Sequence, residues 1–238
     1  MKTQGSEFAT VLKEAQELGY AERNPEADVE GYDACRKIAI LTSLAYGMHV
    51  DFEQIYTEGI TKITAEDIKY ANVLEASIKL LATSKNVDGK VYAMVAPKLI
   101  TDKHPLFSVN DVFNGILVKG NLLGDVMFYG SGAGKLPTAS AVVSDVVDAT
   151  KHMGTNIMTL WSSKHLIPAD MNSYESKFFV RVPFAEEETA KELFQIAKVV
   201  TAPDVEGEYA FITEKMTEEA FEEAAKKISI VNRIRVEF

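Results

Sequence analysis

Apolar residues recur at helical spacing in the first third of the chain and at strand spacing after it. Phe8, Val11, Leu12, Ala15 and Leu18 fall on one face of a helix that Gly19 closes. After a short Asn24-Pro25 segment, a longer helix runs from about Tyr32 to Tyr46. Its buried side carries Ile38, Leu41, Leu44 and Ala45, and Gly47 ends it. Asp51 to Tyr56 reads as a short helix. Thr64 opens a fourth as N-cap, with Asp67 three residues on in a variant of the capping box. Ile68, Ala71, Leu74, Ile78 and Leu81 give that helix one stripe, which predicts that it continues to about residue 81.

The spacing then shortens. Lys90–Leu99, Phe113–Lys119 and Leu122–Tyr129 are rich in β-branched, aliphatic and aromatic residues, and Gly120-Asn121 reads as a tight hairpin turn. A glycine loop, Gly130 to Gly134, leads into a helix from about Thr138 to Lys151. Residues 155–175 have weak periodicity and read as a linker. Beyond it the pattern is strand (Lys177–Val182), helix (Ala185–Ala197), strand (Lys198–Ala202), strand (Glu208–Glu214), helix (Thr217–Lys227) and strand (Ser229–Phe238). That βαββαβ order is the ferredoxin-like unit. Glu186-Glu187-Glu188 and Glu218-Glu219 lie in the first helical turns, where the helix dipole favours acids. The expected fold is α+β, with helices packed on a mixed, largely antiparallel sheet over residues 1–154. A linker (155–175) and a small ferredoxin-like unit (176–238) follow.

Composition narrows the function. The net charge of −10 and the lack of a dense Lys/Arg patch argue against nucleic acid as a partner. Cys35 is the one cysteine, so the chain cannot carry an internal disulfide, in keeping with a reducing cytoplasm. The N-terminus has no apolar core of a signal peptide, and no apolar run approaches the ~20 residues of a membrane span. His49, His104, His152 and His165 are scattered without metal-ligand spacing, so no metal site is expected.

The chemistry concentrates in Ala15 to Lys37. Asn24 is placed to cap a turn whose first position is Pro25. Asp33 and Lys37 lie four apart on one helical face, acid first, the favoured order for an ion pair. Glu22 and Asp28 lie on the loop that leads to this helix start. Three carboxylates can gather around one ammonium, or Asp33–Lys37 can be a surface pair worth ~0.3–0.5 kcal/mol; spacing alone leaves both open.

The run has the form Ala-x3-Gly-aromatic-Ala-x2-Asn-Pro-x2-Asp-Val-x-Gly-x-Asp-x3-Lys, and it resembles the homoserine dehydrogenase signature at every constrained position. Gly130 to Asp145 is similar to the same family's glycine loop and following helix. The resemblance extends from about residue 6 to about 152. It implies interconversion of L-homoserine and L-aspartate 4-semialdehyde with NAD(P), on the path to threonine and methionine, by a homodimer. It implies that Lys37 is the general acid/base and that Asp33 orients it. Glu22, Asp28 and Tyr20 match residues that contact the amino acid. Gly132, Ala133 and Gly134 would lie beside the nicotinamide end of the cofactor, although a tight turn is the plainer reading of that loop.

The sequence also departs from the family pattern. A Gly-x-Gly-x-x-Gly strand–helix unit should come first, and none is present: Lys135 stands where the loop at 130–134 would need its third glycine. The expectation is a piece of a longer enzyme, whose NAD(P) is bound mainly by an N-terminal domain outside these residues, so that this chain alone is inactive. A non-catalytic dimerising and regulatory module is the alternative. The C-terminal unit resembles an ACT domain, an amino-acid-sensing module. Its first turn reads Pro183-Phe184-Ala185-Glu186, acidic and without glycine, which argues against threonine as effector and for a structural role.

Overall fold

The computed structural model describes residues 8–17, 23–132, 134–158 and 161–238, with Phe8 and Ala9 described in backbone only. Helix α1 (Phe8–Glu17) comes first. Helix α2 (Glu26–Val29) is a single turn, and Pro25, not Asn24, holds its cap position. The N–H groups of Asp28 and Val29 donate to the Pro25 carbonyl at 3.0 and 2.9 Å. Helix α3 (Tyr32–Tyr46) has the predicted span, with left-handed Gly31 before it and Gly47 after it.

Strand β1 (Met48–His49), a 3-10 turn at Phe52–Gln54 and strand β2 (Tyr56–Thr57) follow. The predicted helix at 51–56 is thus one turn and the start of a strand. Helix α4 (Ala65–Val73) carries both halves of the capping box. The Thr64 side chain accepts from the Asp67 N–H at 3.4 Å, and the Asp67 carboxylate accepts from the Thr64 N–H at 2.8 Å.

This helix does not continue to residue 81. Glu75 takes a positive φ of 52°, and the chain turns into strand β3 (Ala76–Val87). Ile78 and Leu81 suit a helix stripe, but pairing decides otherwise. β3 lies antiparallel to β4 (Lys90–Thr101) along its whole length, from Ala76↔Thr101 to Val87↔Lys90. The turn between them is Asp88-Gly89, both at positive φ, a favoured two-residue hairpin connection.

Strands β5 (Phe113–Gly120) and β6 (Gly124–Ser131) form a separate hairpin. Its connection is residues 121–123, one longer than predicted. Helix α5 (Lys135–Lys151) starts three residues earlier than the periodicity indicates. Strand β7 (Ser162–His165) pairs in parallel with β1, so part of the 155–175 stretch is structured.

The C-terminal unit comprises β8 (Glu175–Pro183), α6 (Glu187–Leu193), β9 (Ile196–Val200), β10 (Glu208–Thr213), β11 (Met216–Thr217), α7 (Glu218–Ala225) and β12 (Asn232–Val236). The helix predicted to reach Ala197 stops at Leu193, because Ile196 onward pairs with β10. Neighbours in the order β12-β8-β10-β9 are all antiparallel, the ferredoxin-like arrangement.

This sheet does not end at the unit. β12 pairs in parallel with β4 through Arg235↔Lys98 and Val236↔Leu99, and β2 occupies the same edge of β4 at Met94 and Val95. One eight-stranded sheet therefore runs through both parts of the chain. The core follows it. Ile63, Tyr70, Leu74 and Leu99 pack with Phe179, Val200, Ile212 and Ile234 in one cluster. Full burial of such side chains contributes ~1.5–3 kcal/mol each.

Charge is buried along this seam, and it is paired. Arg181 on β8 forks onto Glu208 at 2.8 and 2.7 Å, and donates to Asp67 at 2.6 Å and Thr64 at 2.9 Å. Lys98 is buried beneath Glu237 at 2.6 Å, and Lys85 reaches the same carboxylate at 3.0 Å. Burial pushes the Lys98 ammonium down to about 8, although Glu237 opposes the shift. Burial acts against Glu237 ionisation too, but the two lysines outweigh it and hold its carboxyl at about 2.

Candidate active site

The signature segment forms α2, the turn at Gly31 and the first half of α3. Two constraints act on Gly31. Its φ is +79°, where a side chain is strained, and an added Cβ would lie 3.0 Å from the Val95 Cγ1 on β4. Its N–H donates to the Asp28 carbonyl at 3.2 Å, and its carbonyl accepts the first helical bond, from Cys35 N–H, at 2.9 Å. The turn therefore sets where α3 begins relative to Asp28. The other face of α3 is anchored through Cys35, Ile38 and Ala39 against Ala93 and Val95.

Asp33 and Lys37 sit on the opposite, open side of α3. Lys37 Nζ lies 2.6 Å from Asp33 Oδ2, with the side chains 64% and 48% exposed. Exposure makes this pair a poor stabiliser, worth ~0.3–0.5 kcal/mol, and leaves both groups within reach of a solute. Asp28 is exposed on α2, immediately before the Val29–Gly31 turn. The structure thus brings Asp28, Asp33 and Lys37 onto two helices joined at one glycine. Glu22 and Tyr20 lie outside the described residues, as does Ala133 of the glycine loop.

In that loop, the Gly132 N–H donates to the Val112 carbonyl at 3.0 Å. An added Cβ on Gly132 would fall 1.1 Å from Asn114 Nδ2, so the Asn114 side chain uses that clearance. Gly134 has φ +116° and caps α5, its carbonyl accepting from Thr138 N–H at 3.1 Å. Among the described residues, none lies within 4 Å of where a Cβ on Gly130 would stand.

One element of this region escapes the sequence pattern. The Ile60 N–H donates to the Val29 carbonyl at 2.8 Å, and Gly59 rests directly on Val29 and Glu30. A cleft of about 410 Å³ lies beside this contact, lined by Glu30, Tyr56, Lys62, Asn232 and Arg233 among others. The isolated Gly59 between Glu58 and Ile60 was the available signal, since a lone glycine often marks close backbone approach.

Residues 1–147 match the family model described as homoserine dehydrogenase. Among curated proteins, the chain is 53% identical over 152 residues to a homoserine dehydrogenase of Synechocystis, covering 62% of this chain and 35% of that protein. It is 47% identical over 148 residues to the Bacillus subtilis enzyme of the same name, covering 62% and 34%. The chain thus spans about a third of the length of these curated relatives. A solved homoserine dehydrogenase from Thiobacillus denitrificans superposes with a TM-score of 0.85 at 33% identity, over 100% of this chain and 60% of that one.

Proposed function

The chain belongs to the homoserine dehydrogenase family, and on that footing we propose that it is the substrate-binding and catalytic portion of an oxidoreductase that interconverts L-homoserine and L-aspartate 4-semialdehyde. NAD(P)H, when bound, supplies hydride to the aldehyde carbon. Lys37 Nζ donates a proton to the oxygen as it becomes an alkoxide, and Asp33 fixes the direction of the ammonium. In the reverse direction the Lys37 amine takes the hydroxyl proton. Asp28 and Glu22 hold the substrate's α-ammonium, with Tyr20 against the amino acid. The observation that carries this reading is the exposed 2.6 Å Asp33–Lys37 pair at the start of α3, inside the matched region.

Gly132, Ala133 and Gly134 are proposed to lie at the nicotinamide end of the cofactor, the main binding determinants being a Gly-x-Gly-x-x-Gly unit that these 238 residues do not contain. We expect no turnover from them alone. The test is made in the full-length protein: Lys37→Ala should lower homoserine-dependent NAD(P) reduction ~10²–10⁴-fold. Near-normal turnover would sink the assignment.

The proposed assembly is a cytoplasmic homodimer formed through the antiparallel sheet region. Ile116, Val118 and Phe128 of the β5–β6 hairpin are 43%, 48% and 62% exposed, an apolar face suited to association. Among the described residues no helix is long and apolar enough to cross a membrane. We assign residues 176–238 a structural role within an ACT-like frame. The Phe184 N–H at the turn where an effector would bind already donates to the Gly207 carbonyl at 2.8 Å. Calorimetry with threonine should therefore show no micromolar binding.

A further inference from the structure

The contact of Gly59 with the signature loop has its other end in the C-terminal unit. Arg235 on β12 is 2% exposed. It forks onto Glu218 at 2.6 and 2.8 Å, and its Nη1 donates to Glu58 Oε2 at 2.8 Å. Its guanidinium stands over the Tyr56 ring, 4.9 Å from the centroid, and the Tyr56 hydroxyl donates to the same Glu58 oxygen at 3.0 Å. The carboxylate of Glu58 is thus held from two sides. Burial works against its ionisation, but Arg233 and Arg235 overcome it and keep the carboxyl below the ordinary range.

From Glu58 the restraint passes along the backbone. The Glu58 N–H donates to the Val95 carbonyl at 2.8 Å. The Val95 side chain is the one that backs Gly31. At Gly59 a Cβ would stand 2.4 Å from the Val29 carbonyl oxygen and 2.5 Å from Glu30 Cα, closer than any real contact, so only glycine lets the two backbones meet. Ile60 N–H then closes onto the same Val29 oxygen at 2.8 Å. Val29 follows Asp28, and Gly31 precedes the helix with Asp33 and Lys37.

We propose that Glu58, Gly59 and Ile60 form a strut through which Arg235 of the C-terminal unit positions the α2–α3 turn, and with it Asp28 and the Asp33–Lys37 pair. Glu58, Gly59 and Arg235 are positioning residues and do not touch substrate. The inference rests on the catalytic reading of that pair, but the geometric half of it stands separately. It gives the C-terminal unit a part in catalysis that needs no effector.

The test uses the full-length protein with Glu58→Gln and Gly59→Ala, and Lys226→Ala as a control in an exposed pair at the C-terminal end of α7. Glu58→Gln keeps the side-chain shape and leaves Arg235 its fork onto Glu218. Gly59→Ala should lower kcat/KM ~10- to 100-fold, the order expected when reacting groups shift by about 1 Å. Glu58→Gln should lower it several-fold, about 3- to 10-fold, with kcat falling as well as KM rising. In both, amide hydrogen exchange over residues 24–37 should accelerate while that of β8 and β10 does not. Lys226→Ala should change none of these. Unaltered exchange over 24–37, or a lower melting temperature with kcat/KM unchanged, overturns the strut. If the unsubstituted protein shows no homoserine-dependent turnover, the enzymatic reading fails, and the exchange measurement alone still decides whether the strut holds the turn. Should Gly59→Ala not fold, Glu58→Gln carries the comparison.

Discussion

Replacing Asp67 by alanine should remove much of the protein's stability, because this side chain joins the two parts of the chain. Asp67 is fully buried. Its Oδ1 accepts from Arg181 at 2.6 Å, and its Oδ2 accepts from the Thr64 N–H at 2.8 Å and from Asn232 Nδ2 at 2.6 Å. Breaking a buried ion pair from one side typically costs ~3–5 kcal/mol, because the remaining charge is left under-paired. Arg181 keeps its fork onto Glu208 and its bond to Thr64, which places the loss at the low end. Loss of the capping-box half at Thr64 adds ~1 kcal/mol. The total, about 4 kcal/mol, is a large share of the ~5–15 kcal/mol that holds a typical domain. Urea unfolding followed by circular dichroism should show a lower midpoint with unchanged slope, in one transition. A cycle with Arg181→Met should reveal a coupling of about 1–3 kcal/mol. A loss below ~1 kcal/mol, strict additivity, or separate melting of residues 176–238 would refute the reasoning.

Other outcomes follow from the same geometry. Asp33→Asn in the full-length protein should lower turnover while changing stability by less than ~0.5 kcal/mol, since the pair is exposed; equal loss of both would mark it as structural. Gly31→Ala should cost ~1–2 kcal/mol through its positive φ and the approach to Val95, read as a lower urea midpoint; an unchanged midpoint counts against that constraint. The carboxyl of Glu237 is held at about 2 against an ordinary 4.5, so the folded state binds its proton less readily than the unfolded one. The stability this confers is fully present above pH 4.5 and is lost as pH falls towards 2, on the order of 3 kcal/mol. Glu237→Gln should flatten that acid limb. Lys98, lowered to about 8 from 10.5, has the opposite charge and adds stability as pH rises from 8 to 10.5, which Lys98→Met should abolish. Phe128→Asp should shift sedimentation towards monomer if the hairpin face associates; no shift would move the proposed interface elsewhere.

Much of the local structure was legible because its causes are local. The span of α3 followed from its apolar spacing and from the glycine at position 47. The capping box at Thr64 and Asp67 followed from two side chains three residues apart. The βαββαβ order of the C-terminal unit followed from alternating periods, without the two-residue β11. The signature from Ala15 to Lys37 was legible as a motif, and the 2.6 Å contact of Asp33 with Lys37 is what i,i+4 spacing on a helix produces. The errors fell where distant partners decide. Ile78 and Leu81 fit a helical stripe, but β4 offered a full strand of pairing after the Asp88-Gly89 turn. Residues 194–197 could extend α6, but β10 recruits Ile196 onward.

Glu218 shows the limit in one residue. In the sequence it is an acid in a first helical turn, where the dipole alone accounts for it. In the fold it is 6% exposed and takes the fork of Arg235. The sequence by itself determined the span of α3, the capping box of α4 and the family motif, all of which depend on neighbours within a few residues. Only the tertiary structure decided that β12 joins β4, that Arg181 and Arg235 are buried in ion pairs, and that Glu58 to Ile60 brace the turn carrying Asp28. Those features depend on residues from 17 to 177 positions apart, and a linear pattern of charge and hydrophobicity holds no record of which carboxylate a buried arginine will meet.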